Sequence, residues 1–274
     1  MKRRQVIACA LGWLAGTASL MAAGGSLPAL LEKPWEGYFA AVEERGFHFG
    51  IGCDGVGMLA PLNSKGEPAA HSKAIKVQFV VEELVPGGKV VAKQIDGDSL
   101  ETTDKAQLNP EKLTFRGKVT GGASFEVMAE FDGSKVMLGG RVTNPGELKN
   151  PLRFAIRTQV NEVYKDLDLT DRDERKKLKD DEVKLETVAG GRGKVEMAEV
   201  TDVAKICGDK GVRSLRMEMG GYAERRFEFA ASEGSAMWID CASGKPMVDG
   251  FTIHWRPDPD KDKEGRARLT MEIR

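Results

Sequence analysis

Residues 125–160 read FEVMAEFDGSKVMLGGRVTNPGELKNPLRFAIRTQV. Phe125, Val127, Ala129 and Phe131 occupy every second position, and the run halts at Asp132-Gly133. That pair suits a tight hairpin, because glycine takes positive φ without penalty. Val136, Leu138, Gly140 and Val142 restore the period until Asn144-Pro145-Gly146 breaks it again. Leu152, Phe154, Ile156, Thr158 and Val160 then form a third run. A period of two with one apolar set means strands with one face buried and one solvated, as in antiparallel sheets. A slip of one residue would turn every apolar side chain outward, so the pattern also specifies the register.

The same period extends in both directions. Phe47, Phe49 and Ile51 alternate, as do Ile75, Val77, Phe79 and Val81, and then Leu113, Phe115, Gly117 and Val119. Later come shorter runs at 183–185, 195–197, 215–219, 227–229, 237–239, 251–255 and 269–273. A dozen or so short strands among 32 glycines predict an all-β fold. The expected architecture is a large antiparallel β-sandwich, with a supersandwich as its larger form. One short helix is expected over residues 35–45, WEGYFAAVEER, where Trp35, Tyr38, Phe39 and Val42 fall at helical spacing between Pro34 and Gly46. The charged stretch 166–181, DLDLTDRDERKKLKDD, interrupts the β pattern. There Thr170 followed by Asp173 predicts a capped helical turn and a boundary between halves 46–165 and 181–274.

The N-terminus has the layout of a secretory signal. Lys2, Arg3 and Arg4 precede an uncharged apolar run, Val6–Ala23, followed by small residues, which predicts cleavage near residue 24. An uncleaved anchor is the alternative. Arg3-Arg4 loosely fits a twin-arginine signal, but the flanking residues favour general secretion. The expected location is periplasmic or secreted, in a bacterium. Residues 25–45 would then be a leader ending in the short helix, and 46–274 the β domain. Loss of Lys2, Arg3 and Arg4 takes the formal charge from −1 to −4, which speaks against a nucleic-acid binder. No later segment is apolar enough to span a membrane. Cys53, Cys207 and Cys241 remain, read as buried free thiols, with a Cys207–Cys241 disulfide as the alternative.

Motifs for familiar chemistries are weak. Gly50-Ile51-Gly52-Cys53-Asp54-Gly55 spells G-x-G-x-x-G, but no helix can follow it, so it reads as a glycine-rich strand and turn. The acidic runs at 258–264 and 166–173 lack the spacing of a calcium loop, and the first reads as a hairpin loop. His48, His71 and His254 make no zinc spacing. Cys53 and His48, five residues apart on a strand, face opposite ways and make a poor nucleophile pair. No cofactor motif is present and no catalytic residue is assigned. Carbohydrate is the remaining ligand class, since sugar rings stack on tryptophan and their hydroxyls pair with carboxylates and guanidinium groups. Trp238, Asp240, His254, Trp255 and Arg256, on two late strands, are the candidate binding residues.

The run LTFRGKV…FEVMAEFDGSKVMLGGRVTNPGELKNPLRFAI within residues 111–160 resembles the galactose-mutarotase-like β-sandwiches of secreted carbohydrate-active proteins. The resemblance implies a sandwich that serves as a sugar epimerase or as a non-catalytic domain of glycan-cleaving enzymes. The epimerases use a histidine and a glutamate as acid and base. None of the three histidines lies in a matching motif, so that role is not carried over. The leading expectation is a non-catalytic protein that binds carbohydrate or a protein partner. The alternatives are an enzyme of the epimerase or glycan-cleaving kind, with Asp240 acting alongside His254, and a purely structural envelope protein.

Overall fold

Alternating strands need a second apolar surface to cover their inward face, and here the chain supplies it by folding into two stacked antiparallel layers. The computed structural model describes residues 27–67, 74–161, 168, 170–178, 180–219 and 225–274. The predicted signal peptide, His71 and Asp166 lie outside them.

The first layer centres on β4 (Ile75–Val85). Along one side of β4 run β11 (Leu152–Asn161), β17 (Gly250–Pro257) and β16 (Ser235–Cys241), each antiparallel to its neighbour. The other side pairs first with β3 (Gly57–Pro61) and then with β5 (Lys89–Lys93). Beyond β3 lie β2 (Phe47–Gly52), β1 (Tyr38–Glu43) and a two-residue parallel contact with β7 (Gln107–Leu108).

The second layer is ordered β13 (Arg192–Glu196), β12 (Glu182–Thr187), β14 (Val212–Met219), β15 (Arg225–Ala231), β18 (Leu269–Ile273), β10 (Lys135–Asn144), β9 (Ser124–Asp132), β8 (Lys112–Val119) and β6 (Ile95–Glu101). A single bridge, Val212 to Met237, stitches β14 of this layer to β16 of the first.

One apolar core fills the gap and draws on residues from Leu27 to Ile273. Ring contacts show the layers meeting: Phe49 of β2 with Phe131 of β9 at 5.8 Å, and Phe79 of β4 with Phe115 of β8 at 5.6 Å. Phe125 and Val127 point inward as their parity requires. β9 and β10 form the predicted hairpin, with Asp132 opposite Lys135 and Gly133 at φ +52°. Glycine is needed within β10 as well. A Cβ on Gly140 would lie 2.5 Å from the Glu126 carbonyl oxygen and closer still to the ring of Phe154 in the facing layer.

The structure corrects the helix expected at 35–45, because Tyr38–Glu43 is a strand. A register shift between Tyr38 and Ala40 explains the misleading spacing. The bulge places consecutive residues on one side. Phe39 and Ala40 both enter the main core, while Tyr38 and Ala41 join Trp35 and Ala60 in a small cluster on the outer face. An interrupted period of two thereby imitates a period near three and a half. Two short helices do occur among the described residues: α1 (Arg172–Lys177) and α2 (Val203–Cys207). In α1 the cap is Asp171, whose Oδ1 accepts from Asp173 N at 2.7 Å, and Thr170 instead donates to Asp168.

Replacing Gly140 with alanine is expected to lower stability by about 1–3 kcal/mol, because the layers cannot part locally without losing contacts around Phe154. A urea melt with an unchanged midpoint would show that the two layers tolerate the extra methyl.

Candidate functional site

The inward set on β4, β11, β17 and β16 builds the core, and strand parity gives the opposite face its polar character. Register aligns that face into rows. Gln78, Arg157, His254 and Trp238 lie side by side across the four strands, and Asp240 follows two residues beyond Trp238 on β16. Glu82 opposes Arg153 at the end of β4.

Glu82 is wholly buried. Arg153 grips its Oε2 with Nη2 at 2.6 Å and Nε at 3.2 Å, and Arg157 reaches Oε1 with Nη2 at 3.0 Å. Arg256 approaches with Nε 3.2 Å from Oε2. Three guanidinium groups therefore share one carboxylate. Burial pushes the Glu82 carboxyl up, but the hydrogen bonds from Arg153 and Arg157 and the charge of Arg256 outweigh it, leaving the group below its ordinary value. His254 moves the other way for a histidine. Burial lowers it first, and the charges of Arg256 and Arg157 lower it further against Glu82 and Asp240. Its imidazole is neutral at pH 7, and its buried Nδ1 has no hydrogen-bond partner among the described residues.

Arg256 also stacks on Trp238, its Cζ 5.4 Å from the ring centroid, a cation–π contact that fixes the guanidinium. The ring backs onto Gly211, where any Cβ would lie 2.8 Å from Trp238 Cε2. Beside them opens a cleft of about 900 Å3. Its wall carries Arg153, Trp238 and Arg256 from the sheet, Lys210 and Arg213 from the turn into β14, and Lys261 from the loop after β17. Glu233 and Asp258 are the acids along it, and Asp258 pairs with Lys261 at 3.2 Å. Among the described residues, Lys210 and Arg213 have no ion-pair partner. The cleft is therefore strongly cationic on a chain whose formal charge is −1.

Of the five residues singled out from sequence, Trp238, Asp240, His254 and Arg256 project from one face of β16 and β17. Trp238 and Arg256 line the cleft, and Asp240 and His254 do not. Trp255 is a correction: it is fully buried in the core, with Nε1 donating to Ser235 Oγ at 3.0 Å, and no ligand can reach it. Glu82, Arg153, Arg157, Lys210 and Arg213 were not singled out. Their contacts depend on strands far apart in sequence, which local pattern does not reveal.

Other candidates resolve into structural roles. Cys53 donates its thiol toward the Pro28 carbonyl at 3.7 Å, and burial followed by the Asp54 charge pushes it up, so it is a poor nucleophile. His48 packs edge-on against Trp35. Gly50–Gly55 forms the end of β2 and the turn into β3. Cys207 and Cys241 are free thiols, and burial drives Cys241 up to about 11. In the run 258–264, Asp258 Oδ1 accepts from Asp260 N at 3.1 Å and Asp262 Oδ1 from Arg266 N at 2.6 Å, which shapes a loop. Among the described residues no group of three or more His, Cys, Asp or Glu is gathered to hold a metal ion.

No family model matches the chain, and no curated protein matches its sequence. Three solved structures share the general architecture. One is a candidate aldose 1-epimerase from Escherichia coli K12, at 10% identity and a TM-score of 0.43, covering 86% of this chain and 98% of that one. The second is a protein of Synechocystis sp. PCC 6803, at 10% identity and a TM-score of 0.48, covering 85% and 94%. The third is a bacterial glucoamylase solved with acarbose, at 6% identity and a TM-score of 0.42, covering 91% of this chain and 33% of that one. Likeness at this level matches no residue to any residue of the site.

Because Glu82 titrates below 4.5, its ordinary value, its stabilising effect is complete above that pH and is lost as pH falls through the depressed folded value. Glu82→Gln is expected to cost about 3 kcal/mol at pH 7, as it leaves three guanidinium groups facing one another. The deficit against the unmodified protein should shrink below pH 4.5. Urea midpoints from pH 7 to 3 measure both, and a deficit that ignores pH would place the pairing energy elsewhere.

Proposed function

We propose that the chain is an exported β-sandwich protein that binds an acidic saccharide in the cleft between Trp238, Arg256, Lys210 and Arg213, without catalysing a reaction on it. The observation that carries this reading is the excess of fixed positive charge in the cleft. Arg153 and Arg256 share Glu82 with Arg157, and among the described residues Lys210 and Arg213 have no ion-pair partner. A carboxylate on a sugar ring would complete those pairs, and guanidinium is the group best suited to hold it bidentately. The wall suits the rest of such a ligand in that Trp238 gives it an apolar edge. Export rests on the N-terminal pattern of three basic residues and an apolar run. Among the described residues no helix is long and apolar enough to cross a membrane.

An epimerase-like activity is the second reading, and one observation favours it. His254 is held neutral beside Asp240 on the same face, and a neutral imidazole can accept a proton near pH 7. Both lie outside the cleft lining, however, which favours binding as the primary role.

Calorimetric titration with glucuronate or galacturonate against glucose or galactose tests the reading. Heat with the uronates alone is expected, weakening with salt. Arg213→Ala, on an exposed residue with no ion-pair partner among the described residues, should weaken binding by about tenfold, or 1.4 kcal/mol. Equal affinity for neutral and acidic sugars, or none for either, would remove the proposal. Polarimetric or NMR detection of accelerated sugar interconversion, lost in His254→Ala, would install the second reading instead.

A further inference from the structure

The cationic cleft does not end at its own wall. A second cleft, of about 410 Å3, begins where the first stops, and the two share Arg153, Pro257 and Pro259 as lining. Its far side carries Arg141 of β10 and Lys263 of the loop that follows β17. The loop is the partition: Lys261 faces the first cleft and Lys263 the second. The aspartates of this loop, Asp258 and Asp262, make its internal hydrogen bonds. Asp258 pairs with Lys261 and caps Asp260, and Asp262 accepts from the Arg266 amide. Lys263 is exposed and has no ion-pair partner among the described residues. Beyond the second cleft Arg141 and Thr143 lead into a third, of about 620 Å3, where cations are matched by Asp98, Glu101 and Glu126. In the second cleft Arg141 is paired with Glu126 and Asp262 also lines the wall, so the positive charge carries on from the first cleft through Arg153 and Lys263.

Resting on the proposed acidic-saccharide reading, we infer that the ligand is a chain of uronate residues laid across both clefts, with Arg153 at the junction holding the carboxylate between two end groups. Small-molecule sites occupy about 300–1,000 Å3. The first cleft alone fills most of that range, and the second makes the groove longer than a single sugar needs. A row of cations broken by one loop suits charges spaced along a polymer. A single-stranded nucleic acid asks for successive aromatic platforms as well as charge. Among the described residues the aromatics in the two linings are Trp238, one side of which is occupied by Arg256, and Phe154, which is buried in the core.

The experiment uses galacturonate oligomers of one to eight units on the whole chain, by calorimetry. Affinity is expected to rise by about tenfold or more as the oligomer becomes long enough to leave the first cleft, and then to level off. Lys263→Ala should remove about threefold or more of that gain and leave the single unit unchanged. A single unit that binds with no gain on lengthening, or a Lys263→Ala loss equal at all lengths, overturns the two-cleft assignment and leaves the single-sugar reading standing. Absence of binding at every length overturns both. Oligothymidylate of matched charge binding more tightly than the octamer transfers the groove to nucleic acid and overturns the saccharide assignment.

Discussion

Strand parity governs this molecule. Each residue on β4, β11, β16 and β17 must choose between the core and the solvent side, and neighbours along the strand choose oppositely. Apolar residues at alternate positions close the sandwich, which commits the intervening ones to a shared outer surface. Arg157, His254 and Trp238 come together because Ile156, Ile253 and Ile239 are needed inside. The chemistry of the face is thus a by-product of the same alternation that stabilises the fold, and it cannot be moved without moving the core.

Within that face Glu82 resolves a conflict. Three guanidinium groups crowded against a sheet would repel one another, and a lone buried carboxylate would be driven to its neutral form. Together they form a charged cluster with an excess of positive charge, and the bulk of the excess lies toward the cleft. Other carboxylates are shared among cations too, Glu218 by Lys184, Arg216 and Arg226. Glu126 is held between Arg116 and Arg141, and Glu182 between Lys184 and Lys194 at 2.5 Å each. Glu82 differs from these in being wholly buried, and its arginines Arg153 and Arg256 line the candidate cleft.

Much of the architecture was legible in the sequence, because an uninterrupted period of two survives wherever one face is buried. The strands at 47–51, 75–81, 113–119 and 125–160 all stand where the alternation placed them. β5 and β6 lacked the signal because most of their positions are at least partly exposed, so no apolar set was required. β1 was misread because a bulge disturbs its parity. The site was legible only in part. Parity on β16 and β17 was enough to put Trp238, Asp240, His254 and Arg256 on one face, but Trp255, read as a fifth binding residue, faces the core because it is one residue out of step with them. The partners that give Arg256 its meaning lie on β4 and β11, far away along the chain, and nothing local to residues 250–257 announces which strands will flank them. Lys210 and Arg213 sit in and just after a turn, where composition carries little positional information.

Holding Arg153 and Arg256 on a buried carboxylate has a further consequence for an anion of the kind proposed for the cleft. Long cationic side chains usually surrender considerable rotational freedom when they clasp a guest. Here that freedom has already been given up during folding, and the guanidinium planes stand in place before any encounter. The entropy of capture then falls mainly on the visitor, so stiff guests should be retained better than floppy ones of equal charge.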